Sequence, residues 1–286
     1  MTFSINKDRL LLDRKPVQYI KSIFGGAAFG DGPPRILVMH FTYGASGRSS
    51  ADWFRDSKNP GSSAHVVVDR DGSVIQCVLF NAIAWHAGKS RWTNRAGKEL
   101  IGMNSYALSI ELANWGYLRR QGNDWFSHTG VRITDPVIAP HRNGNPDGGR
   151  DAIGWEPYPD VQIATATEIA REMIATYKLE EIVGHDDISV GRKWDPGPAF
   201  DMRGFRARLL PDRGDNGDSR VVVSASEGLN LRKGPSLESE MIKLLPVGTL
   251  LQPLERTGVW ISVSVIDNAG KPTDTGWVHS HYVQDA

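Results

Sequence analysis

Residues 35–40, RILVMH, decide the fold: this apolar run follows a Gly-Pro-Pro turn signal and predicts a buried strand. Two further runs, residues 64–68 and 73–78, are rich in β-branched residues. Between them lies DRDG at residues 69–72, where the Asp-Gly pair predicts a hairpin turn. Residues 106–112 predict another strand. The first half of the chain therefore contains several strands of one sheet.

Two helices are predicted among these strands. Ser49 or Ser50 is expected to cap a helix that carries Trp53. Between residues 161 and 177, apolar residues recur at three- and four-residue spacing, with Asp160 as the predicted N-cap. Strands interleaved with helices predict an α/β (α+β) fold in which helices cover a β-sheet.

The clearest break in composition lies at residues 211–219, PDRGDNGDS, which are polar and lack a hydrophobic period. We therefore predict a linker there, between a first domain of residues 1–211 and a second domain of residues 219–286. The second domain consists of short β-runs about ten residues apart, which predict a small all-β barrel. Residues 113–157 fit no period; we interpret them as a long insertion near a binding site, with a plain surface insertion as the alternative.

Composition excludes several classes of protein. The 33 basic and 33 acidic residues cancel, so the basic excess of a general nucleic-acid binder is missing and we expect no nucleic-acid partner. The single cysteine, Cys77, rules out an intramolecular disulfide and a four-cysteine zinc site. No run approaches the ~18 apolar residues of a membrane span, and the charged N-terminus lacks the apolar core of a secretory signal. We expect no membrane span and a cytoplasmic location as synthesised; the oligomeric state does not follow from the sequence.

Two histidines and one aspartate are candidate metal ligands. His40 ends the first apolar strand, and His185 lies in IVGHDDI at residues 182–188. Ten residues after His185, the glycines and prolines of GRKWDPGP give that loop a largely fixed path that could return Asp195 to His185. Two histidines and a carboxylate, with a fourth position left for water, form a catalytic zinc arrangement. The alternative is a rigid surface loop with a capping aspartate.

Glu111 and Lys193 are candidate catalytic residues beside such a site. Glu111 lies among apolar residues of a predicted strand and shares a face with Ser109 if the strand alternates. It is a candidate general base if it lines a cleft next to the metal, and otherwise it points to solvent. Lys193 lies two residues before Asp195, where its ammonium could stabilise an oxyanion; the alternative is a solvated loop lysine.

Trp85 and His86 form a compact aromatic and polar cluster in WHAG at residues 85–88. His86 is a further metal ligand, a substrate contact or a core histidine. Its spacing does not decide whether it or His40 is the ligand.

Six segments together resemble the type-2 N-acetylmuramoyl-L-alanine amidases, a family that includes anhydro-muropeptide amidases, phage lysins and peptidoglycan recognition proteins. In chain order these segments are MHFT (39–42), SAH (63–65), AWHAG (84–88), SIEL (109–112), GHDDI (184–188) and GRKWDPGPAF (191–200). The resemblance spans residues 35–205. It implies a central mixed β-sheet with helices around it and a zinc ion in an open groove.

The resemblance also implies roles for individual residues. The implied zinc ligands are His40, His185 and Asp195. Glu111 matches the catalytic acid/base, and Lys193 matches the residue that stabilises the tetrahedral intermediate. By the same analogy His86, with Trp85, contacts substrate in the cleft and is not a ligand. The implied reaction is hydrolysis of the amide between N-acetylmuramic acid and L-alanine in peptidoglycan or muropeptides.

Residues 219–286 are similar to bacterial SH3-like domains, through GLNLRKGPS (228–236), LPVGT (245–249) and GWV (276–278). Such domains often bind the cell wall, with a docking or stability module as the alternative. A tether raises the local concentration at an insoluble substrate, so this domain favours an endolysin-like enzyme released or delivered to the wall.

Three other readings stay open. The chain could be a peptidoglycan-binding protein without activity, or a cytoplasmic amidase that recycles soluble anhydro-muropeptides. The same zinc site could also cut a bond within the stem peptide.

Overall fold

The computed structural model describes residues 2–30, 32–210, 220–257, 259–267 and 270–285. The chain divides into two compact units, Met1–Phe205 and Arg206–Ala286. The predicted linker and the predicted domain limits at residues 211 and 219 lie outside the described residues, and they stay predictions. Within the described residues, no helix combines the length and the hydrophobicity that crossing a membrane requires.

The first unit contains most of the helices and strands. In chain order they are β1 (Phe3–Asn6), β2 (Arg9–Leu12), β3 (Lys15–Pro16), β4 (Gln18–Tyr19), β5 (Ile36–Phe41), α1 (Gly47–Trp53), β6 (Val66–Val68), β7 (Val74–Gln76), β8 (Arg91–Thr93), β9 (Glu99–Ile101), β10 (Ala107–Leu112), β11 (Arg119–Gln121), β12 (Asp124–Phe126), β13 (Arg132–Ile133), β14 (Val137–Ala139), β15 (Ile153–Trp155), α2 (Asp160–Tyr177), β16 (Glu181–Gly184), α3 (His185–Ile188) and α4 (Met202–Leu209), which begins in this unit.

A six-stranded mixed sheet lies at the centre of this unit, in the order β16-β5-β10-β6-β7-β4. β16, β5, β10 and β6 run parallel, whereas β7 runs antiparallel to β6. Side chains of β5 from Ile36 to His40 are at most 1 % exposed, as expected for a parallel strand that is covered on both faces. The predicted α/β (α+β) class with a central mixed sheet and flanking helices is confirmed.

The carboxyl ends of three neighbouring parallel strands, β16, β5 and β10, meet at one edge of the sheet. In this register Glu111 is paired with His40 across β10 and β5. The same register pairs Gly184, the last residue of β16, with Met39. Residues at these strand ends, and those that directly follow them, are therefore brought together in space, which is where open sheets of this type bind ligands.

Both predicted helices are present, but their predicted caps are wrong. Ser46, and not Ser49 or Ser50, caps α1, because its extended backbone precedes the helix and its side chain accepts a hydrogen bond from the Ser49 N–H. α2 begins at Asp160, and Pro159 occupies the N-cap. The fixed φ of proline already holds the extended conformation that an N-cap needs, so Asp160 falls in the first turn.

The insertion at residues 113–157 contains more regular structure than the sequence predicted. β11, β12 and β13 form an antiparallel sheet, and β14 pairs with β15. Each of these strands has only two or three residues, which is too short to display an alternating pattern.

Residues 2–30, which lie outside the resemblance, form a small antiparallel sheet and one edge strand. β1, β2 and β3 pair in order, and β4 extends the central sheet beside β7. The segment is tied to the rest of the unit by the Ile5 N–H, which donates to Glu172 Oε1 at 3.2 Å, and by the Leu10 N–H, which donates to Gln76 Oε1 at 3.0 Å.

The second unit is an antiparallel sheet in the order β19-β18-β22-β21-β20-β17-β23. Its strands are β17 (Val221–Val223), β18 (Leu229–Arg232), β19 (Met241–Leu245), β20 (Leu250–Thr257), β21 (Trp260–Ile266), β22 (Pro272–His279) and β23 (Val283–Asp285). Every side chain of β21 is buried, and the core combines it with apolar residues of neighbouring strands. The predicted small all-β, SH3-like domain is confirmed.

Candidate active site

The two histidines and the aspartate singled out from the sequence converge at the carboxyl edge of the central sheet. His40 lies near the end of β5, His185 begins α3 directly after β16, and Asp195 lies in the loop that follows. His40 Nδ1 is 3.0 Å from His185 Nδ1 and 2.8 Å from Asp195 Oδ2. His185 Nδ1 is 2.9 Å from the same oxygen. All three side chains are buried, and among the described residues they form the one cluster able to hold a metal ion.

The hydrogen bonds around this cluster fit a cation. His185 Nε2 is 3.2 Å from the carbonyl oxygen of Ala87, which can only accept a hydrogen bond. In the neutral imidazole the proton therefore lies on Nε2, and the Nδ1 lone pair faces Asp195 Oδ2. His40 Nε2 lies within hydrogen-bond distance of His86 Nδ1, at 3.0 Å. With a proton on Nε2 of each ring, both Nδ1 lone pairs and the Asp195 carboxylate converge, and two imidazole nitrogens with a carboxylate oxygen suit zinc.

The electrostatics of the cluster favour the forms that bind metals. Burial lowers the pKa of His40 to about 4, and the neighbouring His185 adds to this, so His40 is neutral at pH 7. Burial opposes ionisation of Asp195, but His185 and His40 outweigh it and hold the pKa of this carboxyl well below its usual range. A neutral imidazole and an ionised carboxylate are the states that a metal ligand requires.

Glu111 lies beside the cluster, on the sheet face that carries His40. Its Oε2 atom is buried and has no hydrogen-bond partner among the described residues. Burial is the largest cause that raises the pKa of Glu111; with the charge of Asp195 adding to it and Lys193 opposing it, the pKa is about 8. A carboxyl group with a free oxygen and a pKa near neutrality is suited to proton transfer.

Lys193 lines the same cleft as these groups, and the cleft has a volume of about 480 Å³. The cluster and Glu111 are part of its lining. The lining also includes the aromatic residues Tyr43, Tyr117 and Trp194 and several serines. The loop with a fixed path that was predicted to return Asp195 to His185 does so, and it also places Lys193 at the cleft.

His86 lines the cleft, whereas Trp85 lines a second, smaller pocket to which His86 and Lys193 also contribute. His86 is buried against His40, on the ring edge away from Asp195, so it does not belong to the donor cluster. Trp85 is 47 % exposed and packs against Phe24, with ring centroids 5.6 Å apart. Their predicted role as substrate contacts stays a prediction, as do the roles of the three ligands, Glu111 and Lys193.

Tyr43 and Tyr117 were not singled out from the sequence. Tyr43 has a φ of +53°, a left-handed conformation that is uncommon outside glycine. Its ring lies between Tyr117, at a centroid distance of 4.9 Å, and His128, at 4.1 Å, both from the insertion. These ring contacts join segments far apart in the chain, so no local pattern could have revealed them.

A model of the N-acetylmuramoyl-L-alanine amidase family matches residues 30–198, more than half of the chain. The chain belongs to this family. The match confirms the resemblance and the predicted enzyme class. A second model, of the bacterial SH3 domain, matches residues 227–284 of this amidase and agrees with the fold of its second unit.

Several curated proteins are similar to this amidase. The 1,6-anhydro-N-acetylmuramyl-L-alanine amidase AmpD of Salmonella typhimurium is 28 % identical over 195 residues, which cover 62 % of this chain and 81 % of the relative. The N-acetylmuramoyl-L-alanine amidase AmiD of Escherichia coli is 29 % identical over 179 residues, which cover 58 % of this chain and 50 % of the relative. A crystal structure of an AmpD derivative matches with a TM-score of 0.46 at 23 % identity, covering 72 % of this chain and 98 % of that chain.

Proposed function

We propose that this amidase hydrolyses the amide bond between N-acetylmuramic acid and L-alanine with a zinc ion held by His40, His185 and Asp195. The observation that carries the proposal is the convergence of three acceptor atoms, 2.8 to 3.0 Å apart, in a cleft that Glu111 also lines. When bound there, zinc supplies a Lewis acid that polarises a carbonyl and lowers the pKa of a water molecule to about 7.

Glu111 is the proposed acid and base. In the ionised form of Glu111, the carboxylate takes the proton of the attacking water and then delivers it to the nitrogen of the leaving L-alanine. Oε2 has no hydrogen-bond partner among the described residues, so it breaks no hydrogen bond to any of them before it accepts a proton. Positioned acid–base groups of this kind contribute about 10²- to 10⁴-fold to turnover.

Lys193 is the proposed stabiliser of the oxyanion. It lies in the cleft, and its charge acts on both His40 and Glu111. An ammonium group beside the scissile carbonyl stabilises the negative charge that develops on the carbonyl oxygen as the water attacks.

The presence of a complete set of ligands and an acid/base in one cleft supports an enzyme over a binding protein without activity. The source of the substrate is a separate question. The bacterial SH3 domain supports an insoluble wall substrate, because tethering gains little for a small soluble one. The AmpD relatives, named for 1,6-anhydro-muropeptide cleavage, support soluble recycling as the second candidate.

Mass spectrometry of products from purified sacculi and from soluble anhydro-muropeptides tests the proposal. Free stem peptides that begin with L-alanine are expected from the wild-type protein, and chelation should abolish them. Release from sacculi supports wall degradation, and release from the soluble substrate alone supports recycling. Cleavage within the stem peptide would contradict the assigned bond.

Glu111→Gln should lower turnover at least 100-fold on either substrate while zinc content stays at the wild-type level. Glu99→Gln is the matched control, since Glu99 is an exposed carboxylate of the same unit. Turnover by Glu111→Gln at the rate of the control would remove Glu111 from the mechanism.

A further inference from the structure

Four consecutive residues of the insertion, His141 to Gly144, contact the segment that carries two of the proposed zinc ligands. We call residues 141–144 the clamp. The clamp does not touch His185 or Asp195 in the contacts of the described residues. It binds their chain neighbours Asp186, Asp187 and Trp194.

Two side chains of the clamp hold carboxylates next to His185. His141 Nε2 donates to Asp186 Oδ2 at 3.1 Å, and both side chains are buried. Its Nδ1 accepts from the Asn143 N–H at 3.1 Å, which fixes the ring and its tautomer. Arg142 Nη2 lies 2.9 Å from Asp186 Oδ1 and 2.6 Å from Asp187 Oδ1. One guanidinium therefore compensates two carboxylates that are largely removed from water.

The other two clamp residues bind the backbone of Asp186 and the side chain of Trp194. Asn143 Nδ2 donates to the Asp186 carbonyl oxygen at 2.9 Å. The Gly144 carbonyl oxygen accepts a hydrogen bond from Nε1 of Trp194 at 2.9 Å, and Trp194 directly precedes Asp195 in the chain. The clamp thus grips the chain on both sides of the loop between His185 and Asp195.

The gripped residues act directly on the ligand positions. The Asp186 N–H donates to the Asp195 carbonyl oxygen at 2.9 Å, which joins the two ends of the loop. Asp187 Oδ2 accepts from the Gly184 N–H at 2.6 Å, which fixes the turn from β16 into α3 where His185 begins. A displacement of Asp186 or Asp187 would move both donor atoms.

The insertion itself makes the clamp rigid. The Gly144 N–H donates to the His141 carbonyl oxygen at 2.9 Å, and the His141 N–H donates to Asn145 Oδ1 at 2.8 Å. Behind the clamp, the buried Trp155 ring donates to the Ala139 carbonyl oxygen at 2.9 Å and lies 5.7 Å from the His141 ring.

We propose that the clamp is a positioning element for zinc: it holds His185 and Asp195 at the separation that the metal requires. The inference rests on the proposed zinc site and goes beyond it, because it assigns metal retention to an insertion outside the ligand set. Residues that orient metal ligands from behind typically change metal affinity by about 10- to 100-fold when they are removed.

The test uses the full-length protein and two readouts besides activity. Zinc affinity is measured by competition with a chromophoric chelator, and the visible d–d spectrum of the cobalt-substituted protein reports ligand geometry. Arg142→Ala should weaken zinc binding about 10- to 100-fold and change the cobalt bands. Arg142→Lys keeps the positive charge but lacks the planar guanidinium that contacts both carboxylates. Its zinc affinity should therefore lie between those of Arg142→Ala and the wild type.

Arg132→Ala is the matched control, because Arg132 belongs to the same insertion and pairs with exposed Asp124 at 2.7 Å. It should keep wild-type affinity and spectrum. Asn143→Ala, which removes one hydrogen bond, provides a milder variant if Arg142→Ala does not fold, and it should weaken zinc binding measurably.

The outcomes separate the two proposals. Equal zinc affinity and equal cobalt spectra in wild type, Arg142→Ala and Asn143→Ala would overturn the clamp and leave the zinc site standing. A wild-type protein that binds no zinc would overturn both.

Discussion

Two segments of the first unit, for which the sequence predicted neither helix nor strand, play different parts in the structure. Residues 2–30 pack against α2 and the β7 side of the central sheet. Residues 113–157 supply Tyr117 to the lining of the cleft and contact the ligand-bearing loop. The first segment supports the sheet, and the second supports the site.

This difference follows from the strand order. β4 and β7 form one edge of the sheet, whereas His40, Glu111 and His185 lie at the ends of β5, β10 and β16, towards the other edge. A segment that packs beside β7 contributes burial and hydrogen bonds to folding without reaching the donor atoms. A segment that follows β10 in the chain begins at the cleft.

The largest expected effects come from removing one fully buried side chain in each segment. Trp155→Ala and Leu10→Ala should each lower the free energy of unfolding, by about 3–5 and 2–5 kcal/mol respectively. Trp155→Ala should in addition weaken zinc binding about 10-fold, because Trp155 packs behind the clamp. Chemical denaturation of the metal-free proteins and chelator competition measure the two effects. An equal loss of zinc affinity in Leu10→Ala would show that the two segments do not differ in this way.

A smaller effect, of opposite sign, is expected at the site. The folded-state pKa of Glu111 is raised from 4.5 to about 8, so between these pH values the folded chain holds a proton that the unfolded chain has released. The stability contributed by this group therefore falls as the pH rises through that window. Glu111→Gln should raise the Tm of the chelated protein more at pH 8 than at pH 5, by about 2–4 °C for each kcal/mol that the wild type loses over this window. A gain in Tm that is the same at both pH values would contradict the raised pKa.

The smallest effect is expected from a single hydrogen bond of the N-terminal segment. The Tyr177 hydroxyl donates to Asp8 Oδ1 at 2.7 Å in a partly buried contact between α2 and the β1–β2 turn. Tyr177→Phe should lower the free energy of unfolding by about 0.5–1.5 kcal/mol. The kcat/KM on muropeptides and the zinc affinity should stay at wild-type values, since the contact is remote from the cleft. A change in kcat/KM or in zinc affinity would show that the N-terminal segment contributes to the function of the site.

Much of the fold could be predicted because its patterns are local. The apolar run before His40, the Asp-Gly turn and the spacing between residues 161 and 177 each reflect which faces are buried, and the corresponding elements are present. The predicted N-caps of α1 and α2 were wrong because more than one residue suits each position. Several serines lie at the start of α1, and Pro159 precedes Asp160 at the start of α2, so the backbone conformation decides which residue is the cap.

The candidate site was predictable where chemistry and strand ends coincide. His40, His185 and Asp195 were singled out as a possible donor set, and Glu111 as a carboxylate in a strand. Their mutual distances depend on the register of β16, β5 and β10. The clamp was not predictable, because His141 and Arg142 look like ordinary loop residues until Asp186, 45 residues further along the chain, lies against them.

The sequence by itself determined the main strands and helices, the two-part organisation and the residue types that could bind a metal, because these depend on composition and on spacing along the chain. Only the tertiary structure decided which histidine joins the donor cluster, which oxygen of Glu111 lacks a hydrogen-bond partner among the described residues and which loop contacts the ligand-bearing segment. Those outcomes depend on distances between segments far apart in the chain, and such distances exist only once strand order and packing have been set.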